Sequence, residues 1–360
     1  MAQATVDAKV VRRAGVNPWK AIPADPADYF SSEEIAKAKS YVMPLRWLAR
    51  AEAVVGAATL LALAGFHVAP NVLDGTSGWV VRLIVTMAII QVAEIVTTTG
   101  FDAYRELNYD KRWGFSTQTV GGFLSDLAKS LLIGTVLNIV LFLPLWWLIR
   151  STDLWWVYGW LFMAVLVVGI GLLGPVLIMP LFNKFTPLGD DHADLRDDLL
   201  TLARNMDADV ETIEVSDASR RTRKDNAFVA GAGKTRKLVL FDTLLDRPKE
   251  QIRSVAAHEI GHWKLRHVTR RSVPVVMVLL FANFFVLKVL LSWESLLEFA
   301  GVDSLHDPAV LPLFMLLFPL ASSATGLVSS YVSRASEREA DIFSLETTRD
   351  PDAAAALRAK

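Results

Sequence analysis

His258, Glu259 and His262 stand in the order H-E-x-x-H within Ser254-Val255-Ala256-Ala257-His258-Glu259-Ile260-Gly261-His262-Trp263-Lys264-Leu265-Arg266-His267. On an α-helix, side chains four residues apart share a face. His258 and His262 can therefore offer two imidazole nitrogens to one metal ion. Glu259, one residue round, is close enough to take a proton from a water that the metal polarises. This is the spacing of a metal-dependent hydrolase. The plain alternative is a surface helix carrying two solvated histidines. Two features weigh against it. Three of the chain's six histidines fall within ten residues, and Val255, Ala256, Ala257 and Ile260 give the segment an apolar surface to pack. The local signals also suit a helix: Asp246 and Pro248 lie at its start, and Glu250 favours the positive end of its dipole.

A catalytic zinc site takes three protein ligands and keeps one position open. The candidate third ligand is Glu337, in Ser333-Arg334-Ala335-Ser336-Glu337-Arg338-Glu339-Ala340-Asp341. Glu337 and Asp341 are again four apart. Glu337 would bind the ion, and Asp341 would hold a ligating imidazole through its other nitrogen. Taken alone, this segment also reads as an ordinary charged helix face. Glu339 points elsewhere and is expected to be solvated. His267 has no role that its spacing gives, and a helix-end cation favoured by the dipole is equally consistent.

The elements that must position these groups are mostly apolar. The 360 residues are 52% hydrophobic, and mean hydropathy is positive. Apolar runs at 51–69, 79–99, 130–149, 155–179, about 273–291 and 309–330 each approach the length that crosses a bilayer. The expected fold is therefore mostly α: a polytopic membrane protein with about six transmembrane helices and a small α+β zinc-protease insert containing a β-hairpin. The expected division is a cytoplasmic N-terminal arm at 1–44, four spans at 45–180, the soluble insert at 181–272, two spans at 273–330 and a C-terminal helix at 331–360. No apolar core occupies residues 1–39, so a cleaved signal peptide is not expected. A net charge of −1 gives no case for nucleic acid, and the absence of cysteine excludes disulfides and thiolate ligands.

Loop charge sets the expected orientation. Lys37, Lys39, Arg46 and Arg50 precede the first run, while the loops 70–78 and 292–308 carry no Lys or Arg. The N-terminus is expected on the cytoplasmic side, and an even number of spans returns both halves of the metal site there. Gln91 and Glu94 lie inside the second run, Asn138 in the third, and Asn283 and Lys288 in the fifth. They read either as the wall of a wet chamber or as interhelical hydrogen bonds. In the insert, 194–205 reads as an amphipathic helix and 210–215 as a strand. Residues 226–230 and 237–241, joined by a turn at 231–234, read as a hairpin whose edge could pair with an extended peptide, with Asn226 placed to help. The basic cluster Arg220, Arg221, Arg223 and Lys224 is expected to be solvated or to face lipid.

Assembled, these stretches closely resemble the type I CAAX prenyl proteases, which are integral-membrane zinc metallopeptidases. The resemblance rests on Asp110-Lys111-Arg112-Trp113-Gly114-Phe115, Asp126-Leu127-Ala128-Lys129, Pro180-Leu181-Phe182-Asn183-Lys184-Phe185-Thr186-Pro187-Leu188, Asn226-Ala227-Phe228, Val239-Leu240-Phe241-Asp242-Thr243-Leu244-Leu245, residues 258–267, and Ser333-Arg334 through Glu337 and Asp341. It implies one zinc ion held by His258, His262 and Glu337, with Glu259 as general base. It implies Asn226 and Ala227 as contacts to the peptide backbone, with Arg334 and Asp341 behind the ligands. It also implies a large intramembrane chamber. Three departures stand out. Family members continue to a C-terminal motif with a His and an Arg, whereas this chain ends at Lys360. Eukaryotic members are described with seven spans rather than six. Ser116 occupies a position where Asn is common.

The resulting expectation is a zinc endopeptidase in a bacterial cytoplasmic membrane, acting near the cytoplasmic face on peptide or protein substrates, lipidated or membrane-bound ones included. A broad quality-control protease for membrane proteins is the nearest alternative. A non-proteolytic zinc-containing binding protein of the membrane is the alternative from another class.

Overall fold

In a computed structural model, residues 27, 30–75, 78–231 and 236–358 are described. Much of the expected N-terminal arm and residues 232–235, which include most of the turn expected at 231–234, lie outside them. The first helix, α1 (Ser32–Gly65), opens on a capping box: Ser31 Oγ accepts from the Glu34 N–H at 3.2 Å, and the Glu34 carboxylate accepts from the Ser31 N–H at 2.8 Å. The apolar run expected from residue 51 is thus the second half of a 34-residue helix. Next come α2 (Trp79–Tyr104), which passes into a π turn at Arg105–Tyr109, then α3 (Val120–Ser151) and α4 (Trp155–Leu177). Leu83, Ile90, Trp146, Phe284 and Phe314 interdigitate at the centre of the bundle. Val54, Val96, Val165, Val278 and Leu327 point outward and are exposed. So much outward apolar surface suits a lipid surround rather than water.

The six expected spans correspond to four uninterrupted apolar helices and two bent pairs, the latter at Trp155–Gly171 with Leu173–Phe182 and at Pro308–Ser323 with Gly326–Thr348. Between α2 and α3 lies a cavity of about 280 Å³ whose wall includes Gln91, Glu94, Asp102 and Asn138. Gln91 donates across to Thr135 Oγ1 at 2.9 Å, while Glu94 lines the cavity.

The insert begins with β1 (Phe185–Pro187) and α5 (Ala193–Asn205), whose Leu195, Leu199 and Leu202 form the buried stripe expected of its pattern. Strands β2 (Thr212–Ser216), β3 (Ala227–Ala230) and β4 (Lys237–Phe241) complete a sheet of order β1-β2-β4-β3. β3 and β4 are antiparallel, as a hairpin requires, with Ala227 opposite Leu240. The parallel pairing of β2 with β4 was not anticipated from the pattern. The helix α6 (Lys249–Lys264) lies on this sheet and buries Ile252, Ala256, Ala257 and Ile260. The chain then re-enters the bundle through α7 (Val273–Leu290) and α8 (Leu311–Thr348).

Arg220, Arg223 and Lys224 of the basic cluster are exposed, as expected, whereas Arg221 is not. Arg221 donates through Nε and Nη2 to the two carboxylate oxygens of Asp126 on α3, at 2.6 and 2.8 Å, and through Nη1 to Asn183 at 3.2 Å. The Thr117 N–H donates to the Arg221 carbonyl, and the Arg223 N–H donates to that of Phe115. Lys224 donates to Tyr41 Oη at 3.1 Å. Arg221, read as solvated or lipid-facing, instead fastens the insert to the membrane helices, because fork-shaped guanidinium–carboxylate pairing outweighs hydration when both groups are largely buried.

Candidate metal centre

The site forms where α6 crosses the cytosol-expected end of α8. Gly261 makes the crossing close. A Cβ added there would meet Phe343 Cδ1 at 3.1 Å and the Ala340 carbonyl at 3.6 Å. Phe343 is fully buried among Ala257, Ile260 and the sheet residues Leu238 and Leu240. Ser344 Oγ donates to the Ser254 carbonyl at 2.9 Å, fixing the register of the two helices. One turn and two turns before this contact on α8, Asp341 and Glu337 face the α6 histidines.

Three donor atoms converge. His258 Nε2 and His262 Nε2 are 3.1 Å apart, and Glu337 Oε2 lies 3.4 Å from the first and 3.5 Å from the second. Donors bound to zinc at about 2.0–2.2 Å with tetrahedral angles would lie about 3.3–3.6 Å apart. The triangle therefore fits a zinc ion to within a few tenths of an ångström, and its donor chemistry, two imidazoles and a carboxylate, is that of a catalytic site with one open position. Glu337 is 54% exposed against 22% and 24% for the two imidazoles, so the site opens on the Glu337 side.

Charges around the triangle are tuned by burial. Burial pushes the Glu259 carboxyl up to about 7, reinforced by Glu337 and opposed by His258. Burial also pulls on His258, but the Asp341 hydrogen bond and the neighbouring carboxylates prevail and leave it raised. His262 is lowered, by burial and by the charge of His258. His258 Nδ1 donates to Asp341 Oδ1 at 3.0 Å, which turns its Nε2 lone pair toward Glu337 and His262.

The remaining sequence candidates fall in different places. Arg334 is exposed and makes no hydrogen bond or ion pair among the described residues. Asn226 turns its side-chain oxygen back to accept from the Ala227 N–H at 2.9 Å, and Ala227 is buried at the start of β3. β3 is an end strand of the sheet, so its outer edge has no partner strand among the described residues. Glu339 is not solvated as expected. Its side chain is 15% exposed, 3.1 Å from His267 Nε2 and ion-paired with Arg271, because its turn of α8 faces the end of α6 rather than water. His267, to which spacing gave no role, is 2% exposed and in contact with His262.

Residues 15–184 match the profile described as CAAX prenyl protease N-terminal, five membrane helices, and residues 190–359 match peptidase family M48. The CAAX prenyl protease 1 homolog of Arabidopsis thaliana is 33% identical over 258 residues, 70% of this chain and 59% of that protein. The uncharacterized metalloprotease YhfN of Bacillus subtilis is 28% identical over 346 residues, 93% of this chain and 80% of that protein. The chain spans 59% and 64% of the Arabidopsis and Oryza sativa CAAX prenyl protease homologs. A crystal structure of S. mikatae Ste24p shares the fold, with a TM-score of 0.81 at 23% identity over 94% of this chain and 85% of that one.

Proposed function

The chain belongs to the membrane metallopeptidases of family M48 with a CAAX prenyl protease N-terminal domain, and on that premise we propose that it is a zinc endopeptidase with His258, His262 and Glu337 as ligands and Glu259 as general base. The observation that carries the reading is the 3.1, 3.4 and 3.5 Å triangle of donors with a half-buried carboxylate beside it. A zinc ion held there supplies a Lewis acid that polarises a scissile carbonyl and lowers the pKa of water at the open position.

The chain's own residues perform the remaining work. Glu259 takes the proton of the attacking water as the new C–O bond forms. It returns that proton to the amine nitrogen as the C–N bond breaks, so the carboxylate is regenerated. Its elevated proton affinity suits both transfers near neutral pH. Asp341 keeps the His258 ring oriented. The free edge of β3, beginning at Asn226 and Ala227, is the surface on which an extended peptide can add as a further strand and lie over α6.

The substrate is a peptide or a membrane-associated protein, and lipidated chains fall within this proposal. Loop charge supports a cytoplasmic active site in a bacterial membrane, and the Bacillus relative supports the source. Cleavage of a fluorogenic peptide by the detergent-purified chain should be abolished by a chelator and restored by stoichiometric zinc. Cleavage that survives removal of all metal would overturn the reading.

A further inference from the structure

The α6 helix stops at Lys264, and Arg266 adopts a left-handed φ of 55°. Had the helix run on, His267 would lie about 140° round the axis from His262, five residues at about 100° each. It would then face away. The left-handed residue instead returns His267 to the site, with its Nδ1 3.0 Å from His262 Nδ1. Its Nε2 is 3.1 Å from Glu339 Oε2, and Arg271, from the π turn Val268–Ser272, pairs with that same oxygen.

The protons in this chain can run in only one direction. A cation bound at His262 Nε2 needs the lone pair there, so the ring proton sits on Nδ1 and is donated to His267 Nδ1. The proton of His267 is then on Nε2 and is donated to Glu339. Arg271 compensates the carboxylate charge. Asp341 performs the same office for His258 directly, and both carboxylates come from α8. Each imidazole of the triangle is thus backed by a carboxylate, one in contact and one through an intervening histidine.

We propose that His267, Glu339 and Arg271 are positioning residues that fix the tautomer and ring plane of His262 and strengthen its Nε2 as a donor. The inference rests on the zinc reading of the triangle. A purely structural role, in which a buried imidazole joins α6 to α8, would affect folding and leave metal binding alone.

The test is the zinc dissociation constant of the detergent-purified full chain, by competition with a chromophoric chelator, with the visible spectrum of the Co(II) form as a second readout. His267→Leu and Glu339→Gln should each raise the zinc Kd about 10–100-fold and alter the Co(II) bands. His267→Gln, whose side-chain oxygen and amide can replace Nδ1 and Nε2–H, should stay near the parent. Folded His267→Leu and Glu339→Gln variants with parental Kd and spectrum would overturn the proposal. Should His267→Leu fail to fold, the nearly isosteric Glu339→Gln decides alone. A parent chain that binds no zinc would bring down the reading of the triangle itself, before any variant is compared.

Discussion

Gly261 of α6 and Phe343 of α8 stand so close that a Cβ on the glycine would lie 3.1 Å from the phenylalanine ring. This contact sets the distance between the helix bearing His258 and His262 and the helix bearing Glu337 and Asp341. Gly261→Ala gains about 1 kcal/mol of helix propensity and loses about 1–3 kcal/mol to overpacking. Its thermal unfolding should therefore change little or fall slightly. Zinc affinity should fall by about tenfold or more, because α8 carries Glu337 and Asp341 away with it. Scanning calorimetry of the metal-free variant alongside zinc competition checks both. Unchanged affinity would show that the close crossing does not set the site.

Asp341→Asn removes the charge behind His258. Zinc Kd should rise about 10–100-fold. In the metal-free protein, His258 is raised above its ordinary value of 6.5 because Asp341 and its neighbours outweigh burial. A raised imidazole contributes stability fully present below pH 6.5 and lost as pH rises through its folded value. The variant should therefore be most destabilised at acid pH, with the difference closing above neutrality. Chemical denaturation of both proteins at pH 5.5 and 8.5 measures it.

Glu259 gives a slope of the same sign for a different reason, burial of the carboxylate rather than pairing of a cation. Its folded carboxyl is raised from 4.5 to about 7 by burial, so the metal-free native state holds a proton that the unfolded chain has released. Stability then falls as pH rises from 4.5 through 7, by at most about 3 kcal/mol. Glu259→Gln should be more stable than the parent at pH 8 without metal and similar to it at pH 4. In the active enzyme the base must be ionised, so turnover should drop on the acid side. That limb should lie below pH 7, since a bound cation favours the carboxylate.

Arg266 is the left-handed residue that turns His267 back toward His262. Arg266→Gly removes the side-chain penalty for positive φ and should retain parental zinc affinity. Arg266→Val places a β-branched residue there at a cost of roughly 1–2 kcal/mol and should weaken zinc binding. Equal affinity in the two variants would contradict the turn's part in the site.

The parts of this site that were legible in the sequence are those that repeat every four residues on one helix. His258 with His262, and Glu337 with Asp341, share faces by spacing alone, and the structure brings three of them into one triangle. His267 was not legible, because five residues do not share a face. Its return depends on a left-handed arginine, where only Gly or Asn would have signalled the turn. Glu339 was misread for the same reason, its partner being an unpredicted neighbour. Arg221 looked like solvated charge because its partner Asp126 lies 95 residues away. Apolar run length gave the membrane helices, although the capping box at Ser31 extends the first of them well beyond its apolar half.

The most direct measurement is zinc content and fluorogenic peptide cleavage for the purified chain beside Glu259→Gln. The account predicts one zinc per chain in both proteins, with turnover in the parent and loss of about two to four orders of magnitude in the variant. Cleavage at the parental rate by Glu259→Gln, or a parent that cleaves without holding zinc, would contradict it.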